Sequence, residues 1–243
     1  MRDWVCGFFM AWGMFLAIPC PRKIWSEGAR QKMLVCMPLV GLLAGGVWAG
    51  AWLLLRGAPG PVRAAVCAAV PWLVTGFMHL DGYMDVCDAV LSRRDLATRQ
   101  RILKDSHCGA FAVICMVLLA MGQWSLFLAA EDVSWLALLL IPAATRACAG
   151  LAGLGLRPMG TSQYAAMGPA RGGYGAALRV LLALSVGLPL WLDGSFGPLA
   201  AAVGYGLAVW YGFRNLDGMS GDISGFALTI GELCGCGAAI LWR

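Results

Sequence analysis

Residues 75–113 read TGFMHLDGYMDVCDAVLSRRDLATRQRILKDSHCGAFAV. This stretch holds five of the chain's 13 acidic residues and five of its 18 basic ones, between flanks almost free of charge. Asp81, Asp85 and Asp88 are spaced i, i+4, i+7. On a helix turning about 100° per residue, their carboxylates fall within roughly 60° of arc. Three like charges on one face repel one another unless a cation sits among them. An all-oxygen set of this kind suits Mg²⁺, with Mn²⁺ as the alternative, better than zinc, which prefers thiolate and imidazole. The competing reading is a solvated polar face in a loop. The apolar flanks weigh against it, because acidic residues at a membrane boundary default to function.

Those flanks set the class of the whole chain. Of 243 residues, 60% are hydrophobic and 13% charged, with 33 glycines and 11 tryptophans, and the mean hydropathy is +0.74. Such a composition belongs to an all-α, polytopic integral membrane helical bundle, read as a single transmembrane domain over residues 1–243. The apolar start, Met1 to Pro19, has no basic leader and ends in Ile-Pro-Cys-Pro-Arg-Lys, so it reads as a first span and not as a cleaved signal. The ten cysteines lie mostly in apolar runs without a CxxC pair, and read as small buried side chains.

Eight apolar runs approach the length needed to cross a ~30 Å hydrocarbon core. They are Val5–Ile18, Met33–Leu55, Val62–Met78, Gly109–Ala130, Val133–Leu154, Ala176–Leu192, Gly197–Phe213 and Ser224–Trp242, with seven spans or a re-entrant piece as the alternative. Trp4, Trp52, Trp135, Trp191 and Trp242 fall near one set of span ends and suit an interfacial belt. With eight spans, thirteen basic residues share one side, against Arg2, Arg56, Arg63 and Arg243 on the other. The richer side is expected to be cytoplasmic, with both termini outside. Most acidic residues gather on that same side, which predicts one polar site facing the cytoplasm.

Two charges fall inside spans. Arg146 either snorkels to the surface or pairs with a carboxylate or a substrate phosphate. Glu232 sits nearer mid-span and is expected to pair with Arg146 or a metal. A second polar group runs from Arg214 to Gly225 and contains Asp217 and Asp222. Helix packing accounts for its glycines but not for its aspartates. Arg157 and Arg171 flank a third loop, as phosphate contacts or as positive-inside anchors.

The segments His79-Leu-Asp81-Gly82-Tyr-Met-Asp85-Val-Cys-Asp88 and Arg101-Ile-Leu-Lys104-Asp105-Ser106-His-Cys-Gly109-Ala110-Phe111 resemble the two central motifs of the cobalamin synthases. Weaker agreement follows in order: Ile18-Pro-Cys-Pro21, Pro38-Leu-Val-Gly41, Arg146, Arg157-Pro158, and Gly218-Met-Ser-Gly221-Asp222-Ile-Ser-Gly225 ahead of Glu232. Three positions depart from the pattern: Ala17 and His107 stand where the family often has Arg, and Ala89 where it has Gly.

The resemblance implies a Mg²⁺-dependent transferase in the bacterial cytoplasmic (inner) membrane that completes cobalamin biosynthesis. In it, a hydroxyl of α-ribazole, or of its 5′-phosphate, attacks the cobinamide-bound phosphate of adenosylcobinamide-GDP and expels GMP. Metal binding then falls to Asp81, Asp85 and Asp88, shared with Asp222. The proton acceptor is Asp105 or Asp88, with His79 as a third candidate. Lys104, Arg101, Arg146 and Ser106 contact phosphate. The expected partners are the two substrates and membrane lipid, with no nucleic acid; a homo-oligomer is left open. Two alternatives remain. A CDP-alcohol-type phospholipid synthase also uses several aspartates at membrane level, though here Tyr-Met-Asp follows the Asp-Gly. An ion-coupled transporter would use Asp81, Arg146 and Glu232 as its path.

Overall fold

The computed structural model describes residues 2–160, 162–168 and 172–242. Arg171 lies outside them. Among the described residues every regular element is a helix: α1 (Arg2–Phe15), α2 (Arg30–Leu54), α3 (Gly60–Val74), α4 (Met78–Leu91), α5 (Leu96–Ile102), α6 (Ala110–Ala129), α7 (Trp135–Gly155), α8 (Tyr174–Leu192), α9 (Gly197–Leu216) and α10 (Gly221–Leu241), with 3₁₀ turns at Glu27–Ala29 and Gln163–Met167. All ten cysteines are free.

Small residues decide which helices are central. Gly41 and Gly45 of α2 lie so close to the α7 backbone at Pro142 and Leu139 that a Cβ on either would overlap it. Gly231 and Gly235 of α10 meet α9 at Ala201 and Gly197 in the same way. This is close packing through small residues, the mode by which helices associate where water supplies no hydrophobic drive. About two-thirds or more of the apolar stretch is buried in α2, α7 and α10, against 22% in α6 and 17% in α8, which form the outer wall.

The chain is a polytopic helical bundle as expected, but not all eight expected runs become helices long and apolar enough to cross a membrane. Five helices, α2, α6, α7, α8 and α10, are long and apolar enough to cross a membrane, and a sixth crossing results if α3 and α4 are one broken span. The third expected run, Val62–Met78, ends early because the chain turns by 90° between α3 and α4. Gly76 and Phe77 are both left-handed, at φ +60° and +63°. Two consecutive residues in that region cannot continue a right-handed helix. Thr75 Oγ1 closes the end of α3 on Pro71 O at 2.8 Å, and Ala17 N donates to Val74 O at 2.8 Å, which ties the bend to the segment after α1. α9 has 20 residues and runs antiparallel along α10, with Gly197 beside Ala239 and Gly212 beside Ile223, but its Gly, Tyr and Asn make it less apolar.

α1 is also not the span expected of it. It has 14 residues, about 21 Å of helix. Both of its ends meet the first turns of α2: Asp3 pairs with Lys32 at 2.6 Å, while Met14 and Phe15 share a cavity with Met33 and Met37. A helix crossing beside α2 would reach that level with one end only. α1 therefore lies across the end of the bundle that carries the basic loops, which places Arg2 and Asp3 there and corrects the expectation that the N-terminus lies opposite. The tryptophan belt is corrected with it. Trp4 packs edge-on to Tyr174 at this same end, and Trp52 is 1% exposed beneath the Arg63 guanidinium. Trp135, Trp191 and Trp242 remain exposed.

The opposite end is closed by Arg63 donating to Ala130 O, by Arg56 beside Asp132 and by Ser134 donating to Asp193. At the basic end, Asp95 caps α5 through Thr98 N. Arg99 and Gln100 fasten α5 to the last turn of α9 through Asn215 and Leu216. Part of the charge density of residues 75–113 is thus structural.

Candidate active site

The polar residues of the basic end surround two adjoining cavities. The larger, about 430 Å³, is bounded by α1, α2, α4, the segment between α7 and α8, and the start of α10. The smaller, about 290 Å³, lies between α4 and the segment joining α5 to α6. Asp81, Leu103 and Lys104 belong to both. Leu103 is buried, so the wall common to the two cavities is an apolar plug edged by one carboxylate and one ammonium.

Local geometry puts them there. α4 carries Asp81, Asp85 and Asp88 on one face, and all three line the smaller cavity. Asp85 stands within electrostatic reach of Asp81, Asp222 and Asp88. Asp222 arrives from α10, whose first turn is capped by Ser220 Oγ accepting from Ile223 N. α4 and α10 cross with backbones nearly touching: a Cβ on Gly82 would lie 2.8 Å from Asp222 O, and one on Gly225 would lie 3.1 Å from His79 O. Gly225 is therefore a packing residue. Gly221, four residues before it, meets no atom where a Cβ would stand and lines the larger cavity instead.

The site residues expected from the sequence separate into groups. Lys104 and Asp81 line both cavities, His79 and Asp222 the larger, and Asp85, Asp88, Asp105 and Ser106 the smaller. Asp88 has both oxygens engaged, Oδ2 accepting from Gly109 N at 2.6 Å and Oδ1 from Ala112 N at 2.9 Å. It caps α6 from another helix, where a negative charge complements the helix dipole. Asp105 is exposed, with its Oδ1 2.6 Å from His107 Nδ1. The His107 ring and backbone N–H hold its carboxyl below the ordinary range. Arg101 lines neither cavity but is within electrostatic reach of Asp105. His79 is buried and stacked on Phe15, with ring centroids 6.3 Å apart at 14°.

Arg146 lines neither cavity. Its Nη1 is 2.6 Å from Glu232 Oε1, and the side chains are 1% and 9% exposed. This is a buried ion pair between α7 and α10, as expected of Glu232. Asp217, from the second polar group, forms an exposed pair with Arg157. Met14 and Phe15 also line the larger cavity and carried no site signal in the sequence; Tyr164, from the third loop, and Ser220, from the second polar group, line it with them. They come from distant segments and only the packing of α1 and the α7–α8 connection brings them together.

Among the described residues, no three His, Cys, Asp or Glu side chains converge closely enough to hold a metal by themselves. The donor chemistry nonetheless fits Mg²⁺ arriving with a phosphorylated ligand, because that ion is usually held by one or two carboxylates, substrate phosphates and waters. Asp81 and Asp85, facing a cavity that also holds Lys104, supply that much.

Comparison with known proteins decides the family. The family model described as cobalamin-5-phosphate synthase matches residues 7–240. The chain belongs to that family. The adenosylcobinamide-GDP ribazoletransferase of Clostridium botulinum (strain Alaska E43 / Type E3) is 33% identical over 257 residues, covering 100% of both chains. That of Clostridium perfringens (strain 13 / Type A) is 33% identical over 237 residues, covering 93% of this chain and 94% of its own. The Halalkalibacterium halodurans protein of the same name is 39% identical over 155 residues, 60% of this chain and 58% of its own. No solved structure matches. In this cobalamin-5-phosphate synthase family member, the paired cavities lie where the two central motifs meet the start of α10.

Proposed function

We propose that the chain is an adenosylcobinamide-GDP ribazoletransferase carrying out the last condensation of cobalamin synthesis in a bacterial inner membrane, with its site open to the cytoplasm. The observation that carries this reading, beside family membership, is the common wall of the two cavities at Asp81 and Lys104. A transfer between two substrates needs two binding spaces that meet at the reacting phosphorus, and needs charge of both signs there.

In the reaction, a hydroxyl oxygen of α-ribazole or its 5′-phosphate forms a bond to the cobinamide-bound phosphorus, the bond from that phosphorus to GMP breaks, and the hydroxyl proton passes to the protein. Mg²⁺, held by Asp81 and Asp85 together with the diphosphate, would neutralise phosphate charge. Lys104 contacts the phosphates from the common wall, and Ser106 lines the same space. Of the three acceptors considered, His79 alone lines the larger cavity. Asp88 is engaged as a cap and positions α6, Asp105 is held by His107, and His79 is the candidate left facing the larger cavity. Arg146 supports α7 against α10 through Glu232 and does not reach the substrate. The clustering of the acids at one end of the bundle, and away from Glu232, disfavours the ion-path reading.

The test is GMP release by purified protein in detergent, given adenosylcobinamide-GDP, α-ribazole or its phosphate, and Mg²⁺, with Asp85→Ala alongside. Release is expected to require both substrates and the metal and to vanish in the variant. A folded wild type that releases no GMP would overturn the reading.

A further inference from the structure

The walls of the larger cavity differ in kind from those of the smaller. Six of the chain's 12 methionines face it: Met14, Met33, Met37, Met78, Met159 and Met167. They arrive from α1, α2, α4 and the α7–α8 connection, so no single amphipathic face accounts for them. Thioether side chains are polarisable and adapt to the face or edge of an aromatic ring. The near-parallel Phe15–His79 pair and Tyr164 add flat apolar surface to the same walls. At about 430 Å³, the space is at the small end of ligand sites, which run from ~300 to ~1,000 Å³. A nucleoside fits such a volume, whereas a corrinoid carrying GDP is several times too large. The smaller cavity has charged and polar walls, Asp85, Asp105, Ser106 and His107 among them.

We propose that the methionine-walled cavity is the acceptor subsite, holding the planar apolar base of α-ribazole with its ribose directed to Asp81 and Lys104, while the smaller cavity receives the donor's diphosphate. This rests on the transferase reading above and adds which substrate occupies which space. Acceptor and diphosphate would then meet at the Asp81–Lys104 edge of the common wall, where the hydroxyl can approach the phosphorus from the side away from GMP, as an in-line displacement requires.

Gly221 provides the test. It lines the cavity, and a Cβ built on it meets no atom within 4 Å, so a methyl group there displaces no protein atom. With GMP release followed in full-length protein in detergent, Gly221→Ala and then Gly221→Val are expected to raise KM for α-ribazole in order of size, by about tenfold for valine, the scale at which pockets discriminate a methylene or two. KM for adenosylcobinamide-GDP stays within about twofold over the same series. A riboside of unmethylated benzimidazole recovers part of the loss in Gly221→Val. Should the valine variant not fold, the alanine variant and Met167→Ala carry the test, the latter also acting on acceptor KM alone. A rise in donor KM, or an acceptor KM that does not move in folded variants, overturns the assignment while leaving the transferase standing. A wild type without turnover overturns the transferase reading and this assignment with it.

Discussion

Arg146 and Glu232 are two unlike charges in the core, held 2.6 Å apart. Both lose their hydration there, and the attraction offsets that loss only while the partner is present; removing one leaves a buried uncompensated charge, at about 3–5 kcal/mol. Glu232→Gln and Arg146→Met are each expected to lower the unfolding temperature in detergent markedly, and the double variant Arg146→Met/Glu232→Leu to recover much of it. Singles as stable as wild type would mean that the pair does not hold α7 to α10. Asp105 behaves differently. Its carboxyl is held below the ordinary range by His107, and a depressed group contributes above its unfolded value and loses that contribution as pH falls through the folded one. It therefore stays ionised across the neutral range. Asp105→Asn is expected to leave the neutral limb of the pH–rate profile in place and to reduce GMP release far less than Asp85→Ala. The Arg146–Glu232 pair was legible in the sequence because lone charges in an apolar bundle have few partners. The role of Asp88 was not: its spacing shows the helix face it shares with Asp81 and Asp85, but nothing in it points to Gly109 N and Ala112 N, which it caps.

At the level of helices, the site depends on how closely α4 crosses α10. A methyl group on Gly82 would lie 2.8 Å from Asp222 O and 3.0 Å from its Cα, both backbone atoms that cannot swing aside. Gly82→Ala must therefore push α4 off α10 and move Asp81 away from Asp222. GMP release is expected to fall by more than tenfold, at a cost of about 1–3 kcal/mol for overpacking. Gly225→Ala, with a 3.1 Å contact to His79 O, should show the same effect more weakly. Equal activity in both variants and wild type would mean that the crossing is not under this constraint. The glycine spacing advertised close packing, but it did not distinguish Gly225, which packs, from Gly221, which faces the cavity. The 90° turn before α4 was hidden for a related reason. Apolar runs report burial, and Val62–Met78 is apolar straight through a break made by backbone conformation at Gly76 and Phe77.

Across the whole molecule, charge asymmetry and packing are independent measures of orientation. The loops expected on one side from their basic residues are the ones that meet around the two cavities. Placing α1 across that end moves Arg2 onto the richer side and leaves Arg56 and Arg63 opposite among the described residues, which sharpens the asymmetry the positive-inside rule reads. What the sequence could not reveal was that a 14-residue apolar helix lies along the bundle's end, because composition alone is the same for a short span and a packed helix. The consequence is measurable through Cys108, which is exposed in the segment between α5 and α6. In a background where the other exposed cysteine, Cys234, is replaced by serine, a membrane-impermeant maleimide should leave Cys108 unlabelled in intact spheroplasts and label it in inverted vesicles. A cysteine placed at Asp3 should follow Cys108, because both belong to the basic end, whereas one placed at Glu131 should label in spheroplasts. Labelling of the Asp3 position together with Glu131 would restore α1 as a span. Labelling of Cys108 from outside would turn the whole molecule over and put the cavities on the wrong face for substrates made in the cytoplasm.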